Sequence, residues 1–272
     1  MNIMIAGLGL IGGSMAKALK KAGYAVDGYD RSEVLRYALE EGIVKNVARD
    51  FTAYDLVFVA LPPNVAVEFI CGNTFCDGAI VSDICGVKGI VERAVCEKPR
   101  NFRYVGCHPM AGKEVSGIRN SDAALFCNAS MILVENENTD SEAAEIVEKL
   151  SYEMGFKRVI HCDSGYHDAK IAYTSQLAHI VSNAYVKSPT ADGCFGYTGG
   201  SFQDMTRIAG VDEVLWTNLY VCNREKIVEE LSLLISNLQK YENALKEGQD
   251  KELEALLREG RIRKEELDGQ KK

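Results

Sequence analysis

The sequence predicts an α/β fold in its first half and an all-helical second half, and three observations carry the prediction. Short apolar runs recur between helix-like stretches as far as residue 161. The first run stops at a glycine-rich turn that opens a segment of helical periodicity, and beyond Asp163 only helical periodicity remains. Strands that alternate with helices are joined by right-handed crossovers, which build a doubly wound, mostly parallel sheet.

The elements follow in order. Residues 2–6 form a short apolar strand ending at Gly7, and residues 11–22 carry apolar side chains at helical spacing. A second strand at 25–29 ends at Asp30, followed by a helix at 32–41 with Ser32 as its expected N-cap. Strands are expected at 55–61, 79–83 and 104–107, alternating with helix-like stretches at 65–71 and 87–97. Two further strands, 130–134 and 157–161, flank a helix at 141–155. The texture changes at Cys162 and Asp163, which divides the chain into a domain of residues 1–162 and a helical domain of residues 163–272.

Between the first strand and the first helix, Gly7, Gly9 and Gly12 with Leu8, Leu10 and Ile11 spell G-x-G-x-x-G. The first glycine permits the tight turn, the second lets a pyrophosphate approach the backbone, and the third permits close helix–strand packing. Free N–H groups at the helix N-terminus then face the anion. This makes the first half a Rossmann-type dinucleotide-binding domain. Asp30, at the end of the second strand, is placed to accept hydrogen bonds from a ribose 2′-OH and to repel a 2′-phosphate, which favours NAD. Arg31 beside it either receives a 2′-phosphate or lies in solvent.

Bulk properties narrow the function. A formal charge of -8 excludes a general affinity for nucleic acid, so a small anionic substrate must be met by locally placed Arg or Lys. No run approaches the roughly 18 apolar residues of a membrane span, and the N-terminus enters a strand without a leader-like segment, so a cytoplasmic protein is expected. Nine cysteines occur singly with no CxxC pair, which reads as reduced and mostly buried thiols. The four histidines form no metal-binding spacing.

The chemistry is expected from His108 in His108-Pro109-Met110-Ala111-Gly112, at the C-terminal end of a parallel strand where ligands bind in such sheets. An imidazole suits proton abstraction from a hydroxyl at neutral pH. Arg207, in an apolar, buried-looking segment, offers a bidentate cation for a carboxylate. Lys88 and Lys113 read as solvated charges, and Trp216 as a core, interface or pocket residue.

With Glu114 and Gly117 following His108-Pro109-Met110-Ala111-Gly112, the sequence resembles the prephenate/arogenate dehydrogenase family, whose signature is HPMAG followed by Glu and Gly. The segment from Gly199 to Ala209 is similar to that family's GGGFRDTTRIA, and Leu215-Trp216 with Asn223 continues the match. Thr174-Ser175-Gln176-Leu177-Ala178-His179 resembles its S-H-L-P-H run, with Gln176 and Ala178 as departures. Asp83-Ile84-Cys85-Gly86-Val87-Lys88 resembles DVGSVK, with Gly86 where a serine usually helps orient the histidine. Cys85, Ser116 or a water is left to take that hydroxyl's place.

The resemblance implies NAD-dependent oxidative decarboxylation of prephenate or arogenate. It makes His108 the base and places Arg207, His179, Ser175, Trp216 and Glu114 around the substrate, with Glu114 either in the His108 network or facing water. It also implies pairing of two chains through the helical domain. Ile227, Leu231, Leu234, Leu238, Tyr241 and Leu245 at alternating spacings of four and three supply a seam for such a homodimer. Two other readings are a β-hydroxyacid dehydrogenase with a lysine base and an NAD-binding sensor without turnover.

Overall fold

The computed structural model describes residues 1–97, 99–113 and 115–269. These fall into two compact units, Met1–Arg224 and the segment from Glu225 onward.

In the first unit, β1 (Ile3–Ala6), α1 (Leu10–Lys21), β2 (Val26–Tyr29), α2 (Ser32–Glu40), β3 (Leu56–Val59), α3 (Pro63–Gly72), β4 (Ile80–Asp83), α4 (Gly89–Cys96) and β5 (Arg103–Tyr104) alternate as expected. The five strands pair in parallel in the order β2-β1-β3-β4-β5. Each residue of β1, β3 and β4 is buried, because helices cover both faces of the sheet. Alternate side chains feed two cores: Ile3, Ile5, Leu56 and Phe58 join one, and Met4, Ala6, Val57 and Val59 the other. Each of these side chains except Ala6 contributes about 1.5–3 kcal/mol on leaving water. Ser32 is the first residue of α2 rather than its cap; Arg31 holds the cap position and makes no side-chain cap bond.

The strand expected at 104–107 is two strands. Val105 still donates to Val81, at 3.2 Å, and the chain then leaves the parallel sheet. β6 (Gly106–Pro109) pairs antiparallel with β7 (Ser130–Val134), which pairs parallel with β8 (Arg158–Cys162) across the connecting α5 (Ser141–Glu153). His108 therefore lies on an antiparallel strand of a second, three-stranded sheet, not on a parallel one. An apolar run carries no mark of the strand it will pair with; at the switch, a Cβ on Gly106 would lie 3.4 Å from the Lys88 Cδ, the Tyr104 hydroxyl and the Val134 Cβ.

Asp163 caps the next helix by accepting from the Tyr166 N–H at 2.8 Å. α6 (Ser164–Ile171) passes through a π-helical turn, Ala172–Leu177, into α7 (Ala178–Tyr185). α8 (Gly200–Thr206) and α9 (Glu213–Cys222) complete this unit. The second unit takes in α10 (Arg224–Lys246) from its second residue onward and α11 (Asp250–Gly269), joined where the Tyr241 hydroxyl donates to the Leu256 carbonyl at 3.2 Å. Among its described residues only Ile227, Ala244 and Leu256 are buried, while Leu233, Leu238, Leu245 and Leu257 are each more than half exposed.

Candidate active site

The glycine turn has the shape its spacing predicts. Gly7 adopts φ +92°, and a Cβ there would lie 2.3 Å from the Ala60 carbonyl oxygen. A Cβ on Gly12 would lie 1.9 Å from the Gly7 carbonyl oxygen, whereas one on Gly9 would meet nothing within 4 Å. Gly7 and Gly12 thus bring strand and helix together, and Gly9 leaves the approach to the turn open. α1 begins at Leu10 without a side-chain cap, so the N–H groups of Leu10, Ile11 and Gly12 belong to its first turn, where no intrahelical acceptor exists. This cradle fits a pyrophosphate.

Leu8 is buried, and its N–H donates to Asp30 Oδ2 at 2.6 Å; Asp30 Oδ1 accepts from the Arg31 N–H, also at 2.6 Å. Asp30 therefore ties the second strand to the glycine turn, with lone pairs remaining on both oxygens. Arg31 is 79% exposed and pairs loosely with Glu33 at 3.6 Å.

His108 is half-buried and lines a cavity of about 610 Å³ together with Gly86, Lys113, Ser116, Ser175, Gln176, His179, Arg207 and Trp216. Its Nδ1 lies 2.9 Å from Nε2 of His167, whose Nδ1 lies 2.7 Å from Asp168 Oδ1. The Asp168 carboxylate also accepts from the N–H groups of Lys88 and Gly89, both at 2.8 Å, and so caps α4. Burial alone raises the Asp168 pKa, but the bonds from His167, Gly89 and Lys88 outweigh it and hold the carboxyl below its ordinary value.

An ionised Asp168 can only accept, which fixes the polarity of the relay. His167 donates from Nδ1 and accepts at Nε2, so His108 donates from Nδ1 and keeps a lone pair on Nε2. That nitrogen is on the cavity side, 3.6 Å from where a Cβ on Gly86 would sit. Burial, then His167, then the Lys88 charge push the His108 pKa well below its ordinary value. The result is a neutral imidazole presenting an acceptor to the cavity, which is the state a general base requires.

The π-helical turn and α7 bring Ser175, Gln176 and His179 to the cavity wall. His179 receives its orientation from the Ser175 carbonyl, 2.9 Å from its Nδ1, and stacks on Trp216 with ring centroids 3.8 Å apart. Trp216 is thus a half-buried wall of the cavity. Gln176 is buried; its Oε1 accepts from Asn223 Nδ2 at 2.7 Å, and the same amide donates to the Asp168 carbonyl at 2.9 Å. Arg207 lines the cavity from the C-terminal end of α8, but the buried-looking context was misleading: no residue of α8 is buried, and Arg207 itself is exposed. An amphipathic segment with few charges reads as core although it edges a cavity. Glu114 lies outside the described residues.

Three readings change. Lys88 is not solvated: it is fully buried, with Nζ 2.5 Å from Asp83 Oδ1. The thiols are free but mostly not buried, since only Cys85 and Cys107 are enclosed. Cys85 does not stand in for the missing serine hydroxyl, because its Sγ turns to the Leu61 carbonyl at 3.4 Å. His167 and Asp168 were missed altogether. The available signal was a His-Asp pair just inside the first helix after the domain boundary, which a search for metal spacings passes over.

With this geometry in place, comparison with known proteins is informative. Residues 15–160 match the family model for the prephenate dehydrogenase nucleotide-binding domain, and residues 163–259 match the one for the prephenate dehydrogenase dimerization domain. A prephenate dehydrogenase of Lactococcus lactis subsp. cremoris is 28% identical over 96% of this chain and 75% of its own length. That of Bacillus subtilis is also 28% identical, over 98% of this chain and 76% of its own. Among solved structures, a prephenate dehydrogenase from A. aeolicus in complex with hydroxyphenyl propionate and NAD+ superposes with a TM-score of 0.86 at 28% identity, covering 98% of each chain.

Proposed function

The chain belongs to the prephenate dehydrogenase family, and on that premise we propose that it oxidatively decarboxylates prephenate to 4-hydroxyphenylpyruvate, or arogenate to tyrosine, with NAD. The observation that carries the reading is a neutral His108 offering Nε2 to a cavity that Arg207 also lines. NAD, when bound, accepts the hydride from the carbon bearing the ring hydroxyl. The glycine turn and Asp30 hold it, with Gly9 leaving the pyrophosphate its approach.

His108 takes the hydroxyl proton on Nε2, and the His167–Asp168 relay, bonded at Nδ1, holds the ring so that Nε2 is the accepting nitrogen. Arg207 holds a substrate carboxylate, and the His179–Trp216 stack walls the ring site. Loss of CO2 completes an aromatic ring, which supplies the thermodynamic drive. A β-hydroxyacid dehydrogenase with a lysine base fits less well, since Lys88 is buried against Asp83 and Lys113 is a partly exposed partner of Asp122. Steady-state kinetics with prephenate and arogenate, each with NAD and NADP, test the proposal. Absence of turnover with either substrate would leave an NAD-binding sensor.

The domain boundary at 162/163 is part of this reading, supported by the Asp163 cap and by where the two family models meet. A cytoplasmic location accords with a biosynthetic dehydrogenase; no described helix is long and apolar enough to cross a membrane.

Asp30→Ser is expected to lower the NAD:NADP ratio of kcat/KM about 10- to 100-fold. One charge-assisted hydrogen bond, worth about 1.5–3 kcal/mol, is lost to NAD, and the repulsion of a 2′-phosphate is lifted. An unchanged ratio would assign the ribose to another residue.

The helical hairpin from Glu225 onward has too few buried residues to account for its exposed leucines, and a second copy of the chain is the proposed cover. Sedimentation at micromolar protein is expected to give a homodimer that Leu231→Glu with Leu238→Glu splits. A stable, active monomer that tolerates both changes would rule this interface out.

A further inference from the structure

Lys88 is a buried charge to which the proposed chemistry assigns no task. Its ammonium donates to Asp83 Oδ1 and to the Cys107 carbonyl, both at 2.5 Å. Asp83 is held in turn by the Tyr104 hydroxyl at 2.6 Å and the Cys85 N–H at 2.9 Å. A buried ion pair is seldom needed for folding, because an apolar pair of similar volume often serves as well or better. The contacts of this one point elsewhere.

Cys107 immediately precedes His108, so the ammonium grips the main chain that carries the base. The Lys88 N–H, on the other hand, donates to Asp168, where the relay ends. One residue is therefore bonded at both ends of the His108–His167–Asp168 series. We infer, resting on the base role proposed for His108, that Lys88 is its positioning residue, clamping the two ends of the relay while Asp83 and Tyr104 hold the ammonium in place.

The electrostatics agree with the geometry. After burial and His167, the Lys88 charge is the next influence keeping His108 unprotonated. Among the described residues, the charged and titratable groups around the base are His167 and Asp168 on α6, Lys88 and Asp83 behind it, and Lys113, His179, Arg207 and Asp212 around the cavity. Lys88 brings its positive charge to the carbonyl next to the base through its side chain, and meets Asp168 through its main-chain N–H.

The test pairs Lys88→Met with Asp83→Asn, which removes both charges at nearly constant volume. With NAD and a substrate that the wild type turns over, kcat is expected to fall about 10- to 100-fold, the range of a small misplacement of a reacting group, while KM changes less than about threefold. In protein labelled with 15N-histidine, the His108 imidazole is expected to titrate closer to its ordinary value than in the wild type, with NAD affinity retained. Tyr104→Phe keeps the ion pair and withdraws one bond to Asp83; it lowers kcat in the same direction by a smaller factor. A folded double variant with wild-type kcat and an unmoved His108 titration overturns the assignment. If the double variant does not fold, Tyr104→Phe with wild-type kcat and titration overturns it instead. A wild-type protein that turns over neither prephenate nor arogenate defeats the proposed function, whereas the titration still reads the clamp.

Discussion

His108→Ala is expected to lower kcat about 10²- to 10⁴-fold, the usual contribution of a positioned acid–base group, equivalent to about 2.7–5.5 kcal/mol of barrier. NAD binding should hardly change, because the glycine turn and Asp30 lie on other elements. The wild-type pH profile provides a second reading of the same residue. A base must be unprotonated to act, and the folded protein lowers the His108 pKa, so the neutral form already prevails at the pH where a free histidine is half protonated. The acid limb of kcat/KM is therefore expected well below pH 6.5, with the rate lost only as the pH falls through the lowered value. His108→Ala with wild-type turnover, or an acid limb at or above about 6.5, would take this residue out of the role.

Arg207→Ala is expected to act chiefly on KM. The cavity is otherwise lined by histidine, amide, hydroxyl and apolar groups with Lys113 and Asp212, so an anionic substrate loses a main cationic partner. A charge-assisted bond of about 1.5–3 kcal/mol corresponds to a rise of roughly 10- to 150-fold. NAD affinity and melting temperature should stay near wild type, because Arg207 is exposed and α8 contributes no buried side chain. A collapse of the fold with KM unchanged would make Arg207 structural.

What could be read from the chain alone was what depends on neighbours in sequence. The glycine turn, Asp30 and the alternation of strands with helices are local patterns, and the structure reproduces them within a residue or two. His108 was legible because its surrounding residues form a recognisable string. The relay was not legible, since His167 follows His108 by 59 positions and only folding brings the two rings together. Lys88 was misjudged because lysine is nearly always solvated, and the carboxylate that permits its burial reveals its purpose only when Cys107 and Tyr104 are seen around it. The switch of sheets at Val105 escaped notice because a continuous apolar run carries no mark of which strand it will pair with.

The π-helical turn at Ala172–Leu177 has a geometric consequence for the two histidines on either side of it. His167 and His179 are twelve positions apart, and at about 100° per residue an unbroken α-helix would set them roughly 120° apart around its axis. A π-helical turn takes up one surplus residue, which winds that angle back to about 20°. The relay histidine and the pocket histidine thereby share one face of a single rod. The turn acts as a phase correction between two parts of the candidate site written on the same helix. A chain one residue shorter between 172 and 177 would run as a regular α-helix and still present both rings to the same side.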